Sequence, residues 1–271
     1  ATTSTAISYN PPVTRIWSLV VTYSSSAYFY SVYLNGTLVA GPTNQGNTAL
    51  IYFTNQIGGS SQITTTSESY QGKMREIISY QGNMANTDRQ GIEGYLAWKW
   101  GQQTTLPTSH MYYTQAPNPS PWSSITNIGN LITNGPNEPT GVVTNGSYYI
   151  NSSTGQLSQY TSTANVAVSS ALNNIPGLQL WLDASDPLGN GTVPANGSTV
   201  TTWTDKSGNG YNSVGSGTPT LTVNSQNSLP GITVNNTVGG ASGTYYTSRI
   251  PPGTFLNALS VFIVYKSLSD R

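Results

Sequence analysis

Residues 16–40 constrain the fold more than any other stretch. Ile16-Trp-Ser-Leu-Val-Val-Thr-Tyr23 is a β-branched and aromatic run, and Ala27-Tyr-Phe-Tyr-Ser-Val-Tyr-Leu34 is a second. Asn35-Gly36 then leads into Thr37-Leu-Val-Ala40. Val, Ile, Tyr, Phe and Trp suit a pleated, half-buried surface. Asn-Gly between apolar runs marks a two-residue hairpin turn, because both residues tolerate positive φ. Further strands are expected at 50–58, 74–80, 178–183, 199–204, 229–235, 244–250 and 259–266. The fold class that follows is all-β, a meander of antiparallel strands with one short helix.

That helix is expected at 87–100. Thr87 is placed to cap it with Gln90 as capping-box partner, Asp88 lies in the first turn, and Gly101 is a natural stop. Ile92, Tyr95, Leu96 and Lys99 share one face. Trp98 and Trp100 have two readings: packing of the helix against a sheet, or stacking on a sugar.

Residues 114–176 differ in kind. They hold Pro117, Pro119, Pro121, Pro136 and Pro139 and no Lys or Arg. Proline at this density interrupts regular structure. A hairpin around Asn151–Gly155 is expected within them, and a lone strand pair must lean on something else to be stable.

Charge excludes several functions. Only 7% of the 271 residues are charged, with nine basic and nine acidic side chains; about 25% charged is usual. No basic cluster exists to displace counterions from nucleic acid or to meet an anionic membrane. No apolar stretch approaches the length that spans a bilayer. The first residues, Ala1-Thr-Thr-Ser-Thr5, do not read as a signal peptide. The chain has no cysteine, so disulfides and thiolate metal sites are excluded. Sequons stand at Asn35, Asn145, Asn151, Asn190, Asn196 and Asn235, several of which an Asn-, Ser- and Thr-rich chain produces by chance. A surface of Tyr, Asn, Ser and Thr suits sugar binding or close packing in an assembly.

The acids are Glu68, Glu76, Asp88, Glu93, Glu138, Asp183, Asp186, Asp205 and Asp270. Glycoside hydrolysis needs two carboxylates a fixed distance apart, and Glu76 has no second acid on its strand. His110 is the sole histidine and reads as a surface or packing residue; no Gly-x-Ser-x-Gly elbow or phosphate-binding loop accompanies it. Asp183, Asp186, Asp205 and Asn209 form the one cluster with ligand chemistry. Calcium takes six to eight oxygens of these types. The competing reading is that these acids fix turns by accepting backbone N–H bonds, in a setting that their Ser, Gly and Asn neighbours make solvated.

Two segments carry a family resemblance. Leu178-Gln-Leu-Trp-Leu-Asp183, followed by Trp203-Thr-Asp-Lys-Ser-Gly-Asn-Gly210, and Glu93-Gly-Tyr-Leu-Ala-Trp-Lys-Trp-Gly101 resemble parts of the concanavalin A-like lectin/glucanase superfamily, laminin-G-like branch. The resemblance implies that the antiparallel strands close into a β-sandwich (jelly roll). In that family the Leu-Trp-Leu-Asp strand opens the domain and the Trp-rich helix closes it. Here the closing element comes first. The resemblance thus implies three parts: 1–113 as the C-terminal half of a lectin-like sandwich, 114–176 as a connector, and 177–271 as the N-terminal half of a sandwich. The halves are completed by each other or by neighbouring copies. Such modules occur in large proteins of giant DNA viruses and in bacterial surface proteins. The resemblance implies a non-catalytic virion component (minor capsid or fibre-associated), with other structural proteins, copies of itself or glycans as partners, and neither nucleic acid nor membrane. The alternatives are a secreted bacterial carbohydrate-binding adhesin and, disfavoured by its acids, a glycoside hydrolase.

Overall fold

A computed structural model describes residues 13–46, 56–58, 70–117, 132–135, 148–151, 157–159, 172, 175–235, 243–248, 250–251 and 258–267. Most of the strand expected at 50–58, the turn expected after Asn151, the sequon at Asn145, and Glu68, Glu138 and Asp270 lie outside these residues. The chain divides into two compact units, one of residues 1–117 with 176–271 and one of residues 118–175.

Among the described residues, the first unit is all-β apart from one α-helix and a short 3-10 turn. Its strands are β1 (Thr14–Ser24), β2 (Ala27–Leu34), β3 (Thr37–Asn44), β4 (Gln56–Ile57) and β5 (Gln71–Gln81), with helix α1 (Asn86–Lys99) after them. The second unit holds β6 (Ile132–Gly135), β7 (Tyr148–Asn151) and β8 (Leu157–Gln159), in which β7 pairs parallel with β6 and antiparallel with β8. The first unit resumes with β9 (Leu178–Asp183), β10 (Thr202–Trp203), β11 (Ser213–Ser216), β12 (Thr220–Gln226), β13 (Leu229–Asn235), β14 (Tyr245–Thr247) and β15 (Leu259–Ser267).

The large antiparallel sheet runs β12-β13-β5-β15-β1-β2-β3, with β9 also paired to β5. Strands from both ends of the chain alternate in it. β15 lies between β1 and β5, with Phe262 opposite Ser18 on one side and Ile78 on the other. The other edge of β5 is shared: β13 pairs Gln71–Met74 and β9 pairs Glu76–Tyr80. The two sequence halves therefore complete each other within one sheet, so neither is left with an unpaired edge along β5.

The hairpins follow from local chemistry. Asn35 and Gly36 take φ of 48° and 78°, and Asn35 Oδ1 accepts the Ile16 N–H at 2.8 Å. Ser25 and Ser26 make the same kind of turn without glycine, at φ of 51° and 59°.

A second sheet, β10-β11-β14-β4, completes a sandwich. Between the sheets lies the main core: Met74, Ile77, Leu180, Leu182, Ile232 and Val234 meet Trp203 and Tyr246. The Trp203 and Tyr246 rings stand 5.6 Å apart in a tilted pair, and the Tyr246 hydroxyl donates to the Val200 carbonyl at 2.7 Å. Tyrosine buried this deeply needs such a partner.

Helix α1 covers the opposite face of the large sheet, against β1 and β15. Its ends correct one expectation and support another. The residue at the N-cap is Ala85, which offers no side-chain bond, and Thr87 is an exposed first-turn residue. Asn86 instead accepts two bonds from Arg89, at 3.2 and 2.7 Å. At the other end Gly101 turns left-handed at φ 65°. Its N–H reaches Trp98 O, and Gln102 N–H reaches Ala97 O, a Schellman closure.

Candidate functional site

A bulge in β5 decides what the site contains. Met74 pairs with Tyr265 and Glu76 with Val264, so Arg75 is an extra residue with no partner of its own in β15. A bulge resets the side-chain alternation. Met74 and Ile77 both face the main core, and Glu76 is turned to the helix side, beneath α1. There it meets Asp183, its direct partner on β9. Two carboxylates thus lie side by side on adjacent strands, a pairing that destabilises a sheet unless a cation stands between them.

The cation is Lys99, from the last turn of α1. Its Nζ is 3.0 Å from Glu76 Oε2 and 2.8 Å from Asp183 Oδ2. Glu76 has no solvent exposure. Four donors surround it: Tyr95 Oη at 2.7 Å and Trp181 Nε1 at 2.8 Å on Oε1, and Trp100 Nε1 at 2.7 Å with Lys99 on Oε2. Asp183 Oδ1 accepts the Ser185 N–H at 2.9 Å and its hydroxyl at 2.6 Å. Lys206 extends the chain outward, 3.2 Å from Asp183 Oδ2 and 3.1 Å from Asp186 Oδ2. Lys99 also stands over the Trp100 ring, and Lys206 over Trp181 at 4.7 Å.

The two carboxyls are driven apart in acidity. Burial raises Glu76 above the usual carboxylate range, with Asp183 adding to the rise against the opposing pull of Lys99. Burial acts on Asp183 in the same sense, but Lys99 and Lys206 overcome it and hold the group at about 2. Burial would lower Lys99; the two carboxylates outweigh it and keep the amine basic. Asp183 thus carries the settled negative charge, while Glu76 is the readier proton acceptor.

The four residues singled out as a calcium cluster fall into separate roles. Asp183 faces two ammonium groups. Asp205 Oδ1 accepts the backbone N–H of Trp181 and Ser207, and Oδ2 accepts Ser207 Oγ–H and Tyr211 N–H, all within 3.0 Å. These fill the four acceptor sites of a carboxylate. Asp186 Oδ1 accepts from Asn190 and Gly191 N–H. Asn209 donates to the Leu178 and Gln179 carbonyls. The expectation that these acids sit in a solvated turn is corrected for two of them, since Asp183 and Asp205 are buried. No group of three or more His, Asp or Glu side chains among the described residues is placed to share a metal ion.

A second buried network lies further along α1. Glu93 accepts Ser18 Oγ–H at 2.8 Å, pairs with Arg89, and lies 3.4 Å from His110 Nε2. His110 Nδ1 accepts the Tyr112 N–H at 3.2 Å, which leaves the ring proton for Nε2. Ser18 and His110 both bind the carboxylate and no bond joins them, so the serine has no base and the trio is not a nucleophilic triad. Arg89 lies over the Tyr33 ring at 3.8 Å.

Trp100 is fully buried, and Trp98 is half-buried with its Nε1 donating to the Tyr112 carbonyl at 2.8 Å. Glu76, Tyr95, Lys99, Trp181 and Lys206 went unrecognised as one site in the sequence. The available signals were a glutamate beside Ile77-Ile78 in an apolar strand and a lysine between two tryptophans.

Comparison of the chain with protein-family models, with curated proteins and with solved structures gives no match.

Proposed function

We propose that this protein is a non-catalytic structural or surface protein, a lectin-like β-sandwich of a virion that packs against neighbouring subunits and contacts glycans. One observation carries the reading. The acids Glu76, Glu93, Asp183, Asp186 and Asp205 each accept hydrogen bonds or ion pairs from within the fold. A glycosidase instead holds one carboxylic acid and one carboxylate toward a sugar-sized cleft. Here the cross-strand pair Glu76 and Asp183 is filled by Lys99 and walled by Trp100, Trp181 and Tyr95. The scarcity of charge supports the same reading, because a polar uncharged surface suits contact with glycans or with other subunits. Glycan-array binding, with hydrolysis measured in parallel on β-glucan, chitin and alginate, tests it. Binding without sugar release is expected. Release of reducing sugar that vanishes in Asp183→Asn contradicts it.

A further inference from the structure

We infer that Lys99 and Asp183 join in an intramolecular amide bond, with Glu76 as the proton carrier. The inference goes beyond the proposed role and holds whatever the protein binds.

Three features place the reacting groups. Lys99 Nζ lies 2.8 Å from Asp183 Oδ2, so the carboxyl carbon is one bond away from a contact already made. Reacting atoms held this close gain the effective concentration that makes intramolecular reactions fast. Glu76 touches the same Nζ at 3.0 Å and is the cross-strand neighbour of Asp183. Asp183 Oδ1, the oxygen not facing Lys99, accepts two hydrogen bonds from Ser185. Donors there stabilise the negative charge that develops when the carbonyl is attacked.

The bond changes balance without any added reagent. Glu76 takes a proton from the Lys99 ammonium. The neutral Nζ attacks Asp183 Cγ, and the C=O electron pair moves onto Oδ1. Glu76 hands its proton to Oδ2, accepts a second from the new C–N nitrogen, and hands that on as the C–Oδ2 bond breaks. Both protons leave with Oδ2 as one water. A secondary amide remains, Glu76 is restored, and nothing is oxidised or reduced. The Lys206 ammonium, 3.2 Å from Oδ2, assists the departing oxygen.

The surroundings favour the product. In water an amine and an acid rest as separate ions, but burying an ion pair carries a desolvation cost that a neutral amide escapes. Aromatic walls at Tyr95, Trp100 and Trp181 keep that cost in place. Burial raises the pKa of Glu76, which makes it the better proton acceptor of the two carboxylates beside Lys99.

The partners are selected by contact. Glu76 is a poor acyl donor, because losing Oε2 would strand the Trp100 indole N–H that it accepts at 2.7 Å. Lys206 is more exposed than Lys99 and is shared with Asp186. The resulting link would tie the end of α1 to β9 and close a loop containing every residue between 99 and 183.

The test is the intact mass of the whole chain under denaturing conditions. The expected mass is one water below that of the sequence, with a branched proteolytic peptide joining Lys99 to Asp183. Lys99→Arg, Asp183→Ala and Glu76→Gln should each show the unreduced mass of their own sequence. A wild-type mass without the loss overturns the inference, as does a loss that maps to any other pair. Circular dichroism establishes which variants fold. A folded Glu76→Gln that links to the wild-type extent overturns the role of Glu76. If Glu76→Gln does not fold, the wild-type mass and its branched peptide still decide.

Discussion

Replacing Trp100 with Ala probes the helix-to-sheet packing and the buried carboxylate together. The indole is fully buried at the C-cap of α1. Truncating a buried Trp costs about 3–5 kcal/mol through lost transfer energy and an unfilled cavity. A second loss overlaps this one: Glu76 Oε2 forfeits its 2.7 Å indole donor while fully buried. Leaving a buried charged group short of one partner costs about 1–3 kcal/mol. Trp100→Phe separates the two, since it keeps most of the ring volume and removes only the N–H. The expected losses are about 4 kcal/mol for Ala and about 2 kcal/mol for Phe. In a chain of this size, 1 kcal/mol shifts the melting temperature by roughly 3 °C. The readout is therefore a fall of roughly 12 °C for Ala and roughly 6 °C for Phe by circular dichroism. A change within about 0.5 kcal/mol for Ala, accompanied by lost glycan binding, would refute the packing account.

Other perturbations follow from the same geometry. In Glu76→Gln the Asp183 carboxyl stays free beside Lys99 and Lys206, held near 2 against its ordinary 3.8. A depressed acid contributes stability that is present above its unfolded value and lost as pH falls through its folded one. That variant should thus lose about 2 kcal/mol between about pH 4 and pH 2; a wild-type chain in which the proposed amide has formed should show no such step in its melting temperature. Gly94→Ala would place a Cβ 2.6 Å from Tyr112 Cβ. Although Ala is the better helix former, the variant should lose about 1–3 kcal/mol by urea unfolding, and a gain would contradict the packing of 110–113 on α1. Chelator should leave the melting temperature unchanged, because the oxygens of Asp183 and Asp205 are already bonded within the fold; a fall of several degrees, restored by calcium, would revive the metal reading.

The strands that the sequence announces are those whose signal is local. Asn35-Gly36 demands positive φ, and the flanking runs of Val, Tyr and Leu have one side to bury, so β1, β2 and β3 are readable from residues 14–44 alone. β9, β13 and β15 are apolar enough to stand out in the same way. β11 and β12 are not, because Ser213-Val-Gly-Ser216 and Thr220-Leu-Thr-Val-Asn-Ser-Gln226 pack through few apolar side chains and owe their pairing to neighbours. Thr87 misleads for a related reason: cap preference is weak, and here Asn86 spends its side chain on Arg89. The site is least legible. A search for a second acid on the strand of Glu76 fails because that acid, Asp183, is its neighbour across a pairing 107 positions away. Nothing local reveals the bulge at Arg75 that turns Glu76 under the helix. The burial of Asp183 is equally hidden, since Ser185 beside it looks like a solvated turn residue until Lys99 arrives from α1.

The central claim is that residues from both ends of the chain form one cooperative sheet through β5. Native-state hydrogen exchange in rising denaturant tests this most directly. β5 is hydrogen-bonded on both edges, to β15 along one side and to β13 and β9 along the other. Its amides should join those of β9 and β15 in a single opening at the global unfolding free energy. If the strands of 178–267 open at distinctly lower denaturant than those of 14–81, the two halves are separate folding units and the account is wrong.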